Sequence, residues 1–93
     1  MRTYEAMCVF RADQETFNSG VEAVRAELTK LGAEIEKEED MGVRTLAFPI
    51  KKELQAHYYY YVCKMEPEQA HQTEAPMRLK NQLLRFLMVR QDD

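Results

Sequence analysis

A chain of 93 residues, 45% hydrophobic and 31% charged, can fill one compact core and leaves little bulk for a deep enclosed catalytic cavity. Its net charge of −3 argues against indiscriminate binding to polyanions, and no apolar run approaches the ~20 residues that a membrane-spanning helix needs. The opening MRTYEAMCVF is too short and too acidic for a secretion signal, and the thiols of Cys8 and Cys63 lack CxxC spacing, so the expected setting is the reducing cytoplasm.

Thr3 to Phe10 reads as a strand with Tyr4, Ala6, Cys8 and Phe10 on one face and Met7 and Val9 on the other. Apolar character on both sides predicts a central strand. Asp13 is placed to cap a helix whose stripe is Phe17, Val21, Val24, Leu28 and Leu31, and Gly32 stands where a left-handed cap ends it. Gly20 lowers that helix's intrinsic propensity slightly. The next segment, AEIEKEEDMGVRTLAFPIKK, predicts one long, bent edge strand. Its charged first half discourages edge-to-edge pairing, Gly42 marks a bulge, and Pro49 fits only an edge. It continues through KKELQ as a hairpin into AHYYYYVCKM.

Pro67 fits the first turn of a second helix over 67–80, with Ala70, Thr73, Met77 and Leu83 as a thin stripe. Pro76 falls inside it, which predicts a kink or a split near Ala75. LLRFLMVR then closes the order as a strand alternating Leu84, Phe86 and Met88 against Arg85, Leu87 and Val89. The pattern β-α-β-β-α-β folds, with right-handed crossovers, into a four-stranded antiparallel sheet with both helices on one face. This is the α+β, ferredoxin-like arrangement, here expected as a single domain over residues 1–93.

The run Tyr58 to Tyr61 is split by that geometry. Tyr59, Tyr61, Cys63 and Met65 fall on the face that the helices cover, while Tyr58, Tyr60, Val62 and Lys64 fall on the open one. An open face with central aromatics is similar to the RNA-recognition motif, but the basic residue and glycine that accompany stacking rings there are missing around 56–65. Packing within the sheet and a surface for a protein partner are the competing readings, since tyrosine is enriched at interfaces.

Charge is uneven. Residues 1–40 hold five Lys/Arg against ten Asp/Glu, residues 41–93 hold eight against six, and 75–90 contain Arg78, Lys80, Arg85 and Arg90 with no acid. Such a stretch can take phosphate on an acidic chain. Catalysis has no visible carrier. His57 and His71 have no ligand-spaced companions, so no metal is expected; the acids of 34–40 read as a solvated edge; no phosphate loop or dinucleotide motif occurs, and no cofactor is implied.

Several segments in order resemble the family of the sixth protein of the bacterial small ribosomal subunit. They are Met1-Arg2-x-Tyr4-Glu5, the helix ending Leu31-Gly32-Ala33, Gly42-Val43-Arg44-x-Leu46-Ala47-Phe48-Pro49-Ile50-x-Lys52, the aromatic strand with Met65, and Leu84-Arg85-Phe86-Leu87-Met88-Val89-Arg90. The resemblance covers almost the full chain. It implies a non-enzymatic structural constituent of the small ribosomal subunit that pairs with the eighteenth small-subunit protein and binds the central domain of 16S ribosomal RNA as that pair. By motif match, Arg2, Tyr4, Arg85 and Arg90 are implied RNA contacts, joined by Arg78 and Lys80, although Tyr4 also fits the core. Arg44, Tyr58 and Tyr60 are the expected partner surface. The chain departs from the family in Ala56, where glycine is usual before the aromatic strand, and in Pro76. Two other classes compete: a small-molecule-binding or regulatory domain that self-associates through its open sheet face, and an acylphosphatase-like enzyme. The first would want a glycine turn that FRADQET does not offer, and the second an anion cradle where Asp13 repels phosphate.

Overall fold

Alternation on the first strand sets the layers. The computed structural model describes residues 1–91. Its elements are β1 (Arg2–Arg11), α1 (Gln14–Lys30), β2 (Glu34–Ile50), β3 (Glu53–Met65), α2 (Pro67–Ala70), α3 (Glu74–Arg78) and β4 (Leu83–Arg90). The strands form one four-stranded sheet in the order β2-β3-β1-β4, and each adjacent pair is antiparallel. Tyr4, Ala6, Cys8 and Phe10 of β1 and Tyr61, Cys63 and Met65 of β3 are buried beneath Phe17, Val21, Val24 and Leu28 of α1 and Met77 of α3. The helices lie on that face alone, as the alternation requires.

The termini of α1 follow from local chemistry. Asp13 Oδ2 accepts from the Thr16 amide at 3.0 Å. At the other end Gly32 takes φ 87°, the Ala33 amide donates to the Leu28 carbonyl at 2.9 Å and the Gly32 amide to Thr29 at 3.0 Å, a Schellman closure. Gly20 turns out to be a packing requirement. A Cβ there would sit 2.7 Å from the Phe10 ring and 2.8 Å from Gln82 Cβ, so its hydrogen lets α1 lie close to β1.

Three details differ from the sequence expectations. The second helix divides at His71–Thr73 rather than near Ala75. The Thr73 hydroxyl donates to the Ala70 carbonyl at 2.8 Å, competing with helix continuation, and the break puts Pro76 in the first turn of α3, where its missing N–H has no intrahelical partner to lose. Secondly, Leu84 does not share a face with Phe86 and Met88. A bulge sets Leu84 and Arg85 together opposite Val9, between the pairs Cys8↔Phe86 and Phe10↔Leu83, so Leu84 turns to the open face while Leu83 enters the main core. Thirdly, the acids of 34–40 are more than a solvated edge, because Glu38 and Asp40 face the helix side and are engaged there.

The expected bend at Gly42 is present, with a register shift between Asp40 and Gly42 and the Gly42 amide donating to Asp40 Oδ1 at 2.8 Å. Cys8 and Cys63 are buried free thiols on adjacent strands. Burial raises both, Cys63 to about 11, so neither is a nucleophile at neutral pH.

Gly20→Ala tests the contact between α1 and β1. Alanine favours a helix interior by about 1 kcal/mol, yet overpacking a filled site costs ~1–3 kcal/mol. Denaturant melts are expected to show a net loss of stability; a gain would mean that Phe10 and Gln82 yield freely.

Candidate nucleic-acid and protein interface

The uncovered face is built in rows across the sheet. One row runs Gly42, Tyr58, Val9, Arg85; the next runs Glu39, Tyr60, Met7, Leu87; a third runs Lys37, Val62, Glu5, Val89. Tyr58 and Tyr60 are half-buried there as the alternation predicts, and Leu87 and Val89 are exposed. The Tyr60 phenol is shifted upward by partial desolvation and then by Glu5. A smaller apolar cluster of Val9, Ala56 and Leu84 sits under this face, with Leu46, Ile50 and Tyr58 packed on it.

The hairpin joining β2 to β3 explains that cluster. Beyond Ala56, which pairs with Arg11, β3 has no β1 neighbour, so the remaining ribbon is two strands wide. Between the pairs Thr45↔Gln55 and Ile50↔Glu53, Leu46, Ala47, Phe48 and Pro49 stand opposite Leu54 alone. Surplus residues on one strand bend a ribbon. The bend folds Leu46 and Ile50 onto the open face and leaves Phe48 81% and Leu54 66% exposed. The turn itself is Lys51-Lys52 with φ of 48° and 69°, the paired positive values of a type I′ hairpin turn, for which asparagine and glycine are the usual residues. Ala56 forms this geometry without glycine and is fully buried.

The basic residues expected from sequence do not form one patch. Arg85 is exposed on the open face, and Arg44, opposite Ala56 on the same side, donates from Nη2 to the Met41 carbonyl at 3.3 Å. Arg2 and Arg90 are exposed at the other end of β1, beside Met65 and Tyr4 in the ladders. Arg78 is exposed and paired with Glu74. Lys80 reaches Glu27 at 3.2 Å with little of either side chain exposed, tying the end of α3 to α1, so its charge is spent within the fold. Tyr4 is 7% exposed in the main core, the second of the two places its sequence position fits, and so offers little ring surface to a base.

On the opposite side of the sheet, Arg25 of α1 makes a two-pronged contact with Glu38 of β2, at 2.8 Å from Nε and 2.7 Å from Nη2, and the Tyr59 hydroxyl donates to the same carboxylate at 2.8 Å. The Arg25 hydrogen bonds hold Glu38 below the usual carboxylate range, while desolvation, then Glu38, push the Tyr59 phenol to about 12. His57 stacks on Phe17 with centroids 3.5 Å apart, and its Nε2 lies 2.6 Å from Asp40 Oδ1. These contacts pin the edge strand β2 to α1. Among the described residues, no group of three or more His, Cys, Asp or Glu could hold a metal ion. Nor, among the described residues, is any helix long and apolar enough to cross a membrane.

What sequence reading missed is the exposed apolar tip, Phe48 and Leu54. The available signal was the length of VRTLAFPI and ELQ beyond anything the ten-residue β1 could pair with.

The family model described as ribosomal protein S6 matches residues 3–90. The small ribosomal subunit protein bS6 of Treponema pallidum (strain Nichols) is 40% identical over 92 residues, covering 99% of each chain. That of Treponema denticola is 32% identical over 93 residues, covering 100% of both. Among solved structures, the crystal structure of 30S ribosomal protein S6 from Thermotoga maritima has a TM-score of 0.86 at 25% identity, over 97% of this chain and 87% of that one. The solution structure of the C-terminal domain of the MgtC protein from Mycobacterium tuberculosis has a TM-score of 0.64 at 6% identity, over 98% of this chain and 88% of that one, a likeness of fold alone.

Because Glu38 has a lowered folded pKa, its pairing contributes fully above its ordinary value of 4.5 and is lost as pH falls below it. Melts taken between about pH 6 and pH 3 should show stability declining less steeply in Arg25→Met than in the parent chain. Parallel curves would remove the pair from the acid response.

Proposed function

The chain belongs to the ribosomal protein S6 family, and on that premise we propose that it binds the central domain of 16S ribosomal RNA as a heterodimer with the eighteenth small-subunit protein. As a family member it is a structural, non-enzymatic constituent of the small ribosomal subunit and works in the cytoplasm. Membership sets aside both the regulatory ligand-binding domain and the acylphosphatase-like enzyme.

The uncovered sheet face carries the reading. Leu87, Val89 and the projecting Phe48 and Leu54 are exposed apolar groups around half-buried Tyr58 and Tyr60. Exposed apolar groups and tyrosines interspersed with charged residues are suited to a protein partner. Tyr58 packs, together with Leu46 and Ile50, against the cluster of Val9, Ala56 and Leu84, which crowds that end of the face and favours protein contact over a stacking base there. The net charge of −3 fits a basic partner that shares the neutralisation of RNA phosphates. Arg85 and Arg44 are exposed cations on this face, and Arg2 and Arg90, opposite Met65 and Tyr4, are exposed on the helix side of the sheet at its other end.

The test is a titration of a central-domain 16S RNA fragment with the chain alone and then with the eighteenth small-subunit protein, at two salt concentrations. Tight, salt-sensitive binding only with the partner supports the reading; tight binding alone returns the tyrosines to base stacking; no binding in either arm refutes it. In the same assay Arg85→Ala is expected to weaken assembly with an unchanged melting profile, and unaltered binding at low salt would take Arg85 out of the interface. Phe48→Ser should leave stability within ~0.5 kcal/mol and loosen the heterodimer by ~1 kcal/mol or more, read by calorimetry without RNA.

A further inference from the structure

The bend of the hairpin carries its turn across the open face to the opposite edge of the sheet. There Lys51, from the turn, lines one cleft of about 300 Å³ together with Arg78 of α3 and Arg85 of β4. Three cations from three separate elements therefore converge. Glu74 also lines the cleft, but it is paired with Arg78, and among the described residues neither Lys51 nor Arg85 has a carboxylate within ion-pairing distance. Met77 and Leu84, both buried, form an apolar wall, and the bulge that buries Leu84 holds the backbone from which Arg85 rises at the rim.

Two features of this place are locally unfavourable. Like charges are gathered without enough counter-charge. The lysine turn also holds two non-glycine residues in the left-handed region, which their Cβ atoms disfavour, where Asn-Gly would be relaxed. Strain and charge concentrated on the same few atoms are characteristic of a site completed by a ligand. The ligand must be anionic. The mixed wall suits a phosphodiester, whose charged oxygens meet Lys51 and the planar guanidinium of Arg85 while the ribose lies against Met77 and Leu84.

We propose that this cleft is a phosphate-binding site for the backbone of the ribosomal RNA, with Lys51 and Arg85 as its clamps and Arg78, in its ion pair with Glu74, as a third cation at the wall. The proposal rests on the RNA-binding reading above and adds Lys51, which lies on no strand of the open face. A backbone phosphate contact has a defined signature: it contributes a fixed increment to the salt dependence of binding and little sequence preference.

The experiment measures binding of the central-domain RNA fragment by the chain with the eighteenth small-subunit protein across a series of salt concentrations. Lys51→Gln keeps the side-chain length and the turn strain and removes only the charge. Its log K against log salt is expected to be shallower by about 0.7–0.9, with several-fold weaker binding at low salt and an unchanged heterodimer affinity without RNA. Lys51→Arg should restore the slope, Arg85→Gln should repeat the loss, and Lys30→Gln, at the far end of α1, should match the parent. A parent-like slope for Lys51→Gln, or a loss confined to the heterodimer, overturns the site while leaving RNA binding standing. Failure of the parent chain to bind RNA even with its partner overturns both.

Discussion

Everything in this molecule hangs on the two-residue period of β3 where it crosses the middle of the sheet. Tyr61 has no exposed surface, and its hydroxyl donates to the Val21 carbonyl of α1 at 2.8 Å. The ring thus supplies apolar burial, and its polar tip satisfies its only donor within the helix. One position away, Tyr60 must face outward. A single slip of register would exchange the two sets and place Lys64 beneath α1 and Met65 in solvent. The helix-side contacts therefore decide, residue by residue, what the other face displays.

Most of the scaffold was legible because its signals are local or strictly periodic. The cap at Asp13, the stripe of α1, the end at Gly32 and the split of the tyrosines each follow from spacing and backbone chemistry within a few residues. What was not legible depends on contacts between distant segments. Leu84 changes face because Val9 accommodates two residues of β4, which no pattern within LLRFLMVR announces. Gly20 looks like a weakness in α1 until Phe10 is placed beneath it. The alternation placed Tyr58 and Tyr60 on the open face, where they lie, but nothing local announced that Lys80 pairs with Glu27, fifty-three positions away in sequence.

Bulges are the devices by which this fold departs from a plain sheet. The one in β4 turns an apolar residue to the open face, and the surplus in β2 bends a hairpin over to meet it. Neither alters the strand order β2-β3-β1-β4. The MgtC domain of similar fold has little sequence in common with this chain, and the fold by itself names no partner. What distinguishes this chain from the bare fold is what the bulges and the turn place on its surface.

The position of β1 has a consequence for how the chain is made. It is the first of the four strands to be synthesised, yet its two ladder neighbours are β3 and β4, and its pairing with residues 83–90 can form only once the last of the four has been translated. Until then a strand apolar on both faces has one edge unsatisfied, with α1 and β3 its earliest available cover. A chain of this topology gains little by folding piecemeal as it emerges. Its sheet is completed late, when β4 pairs with β1.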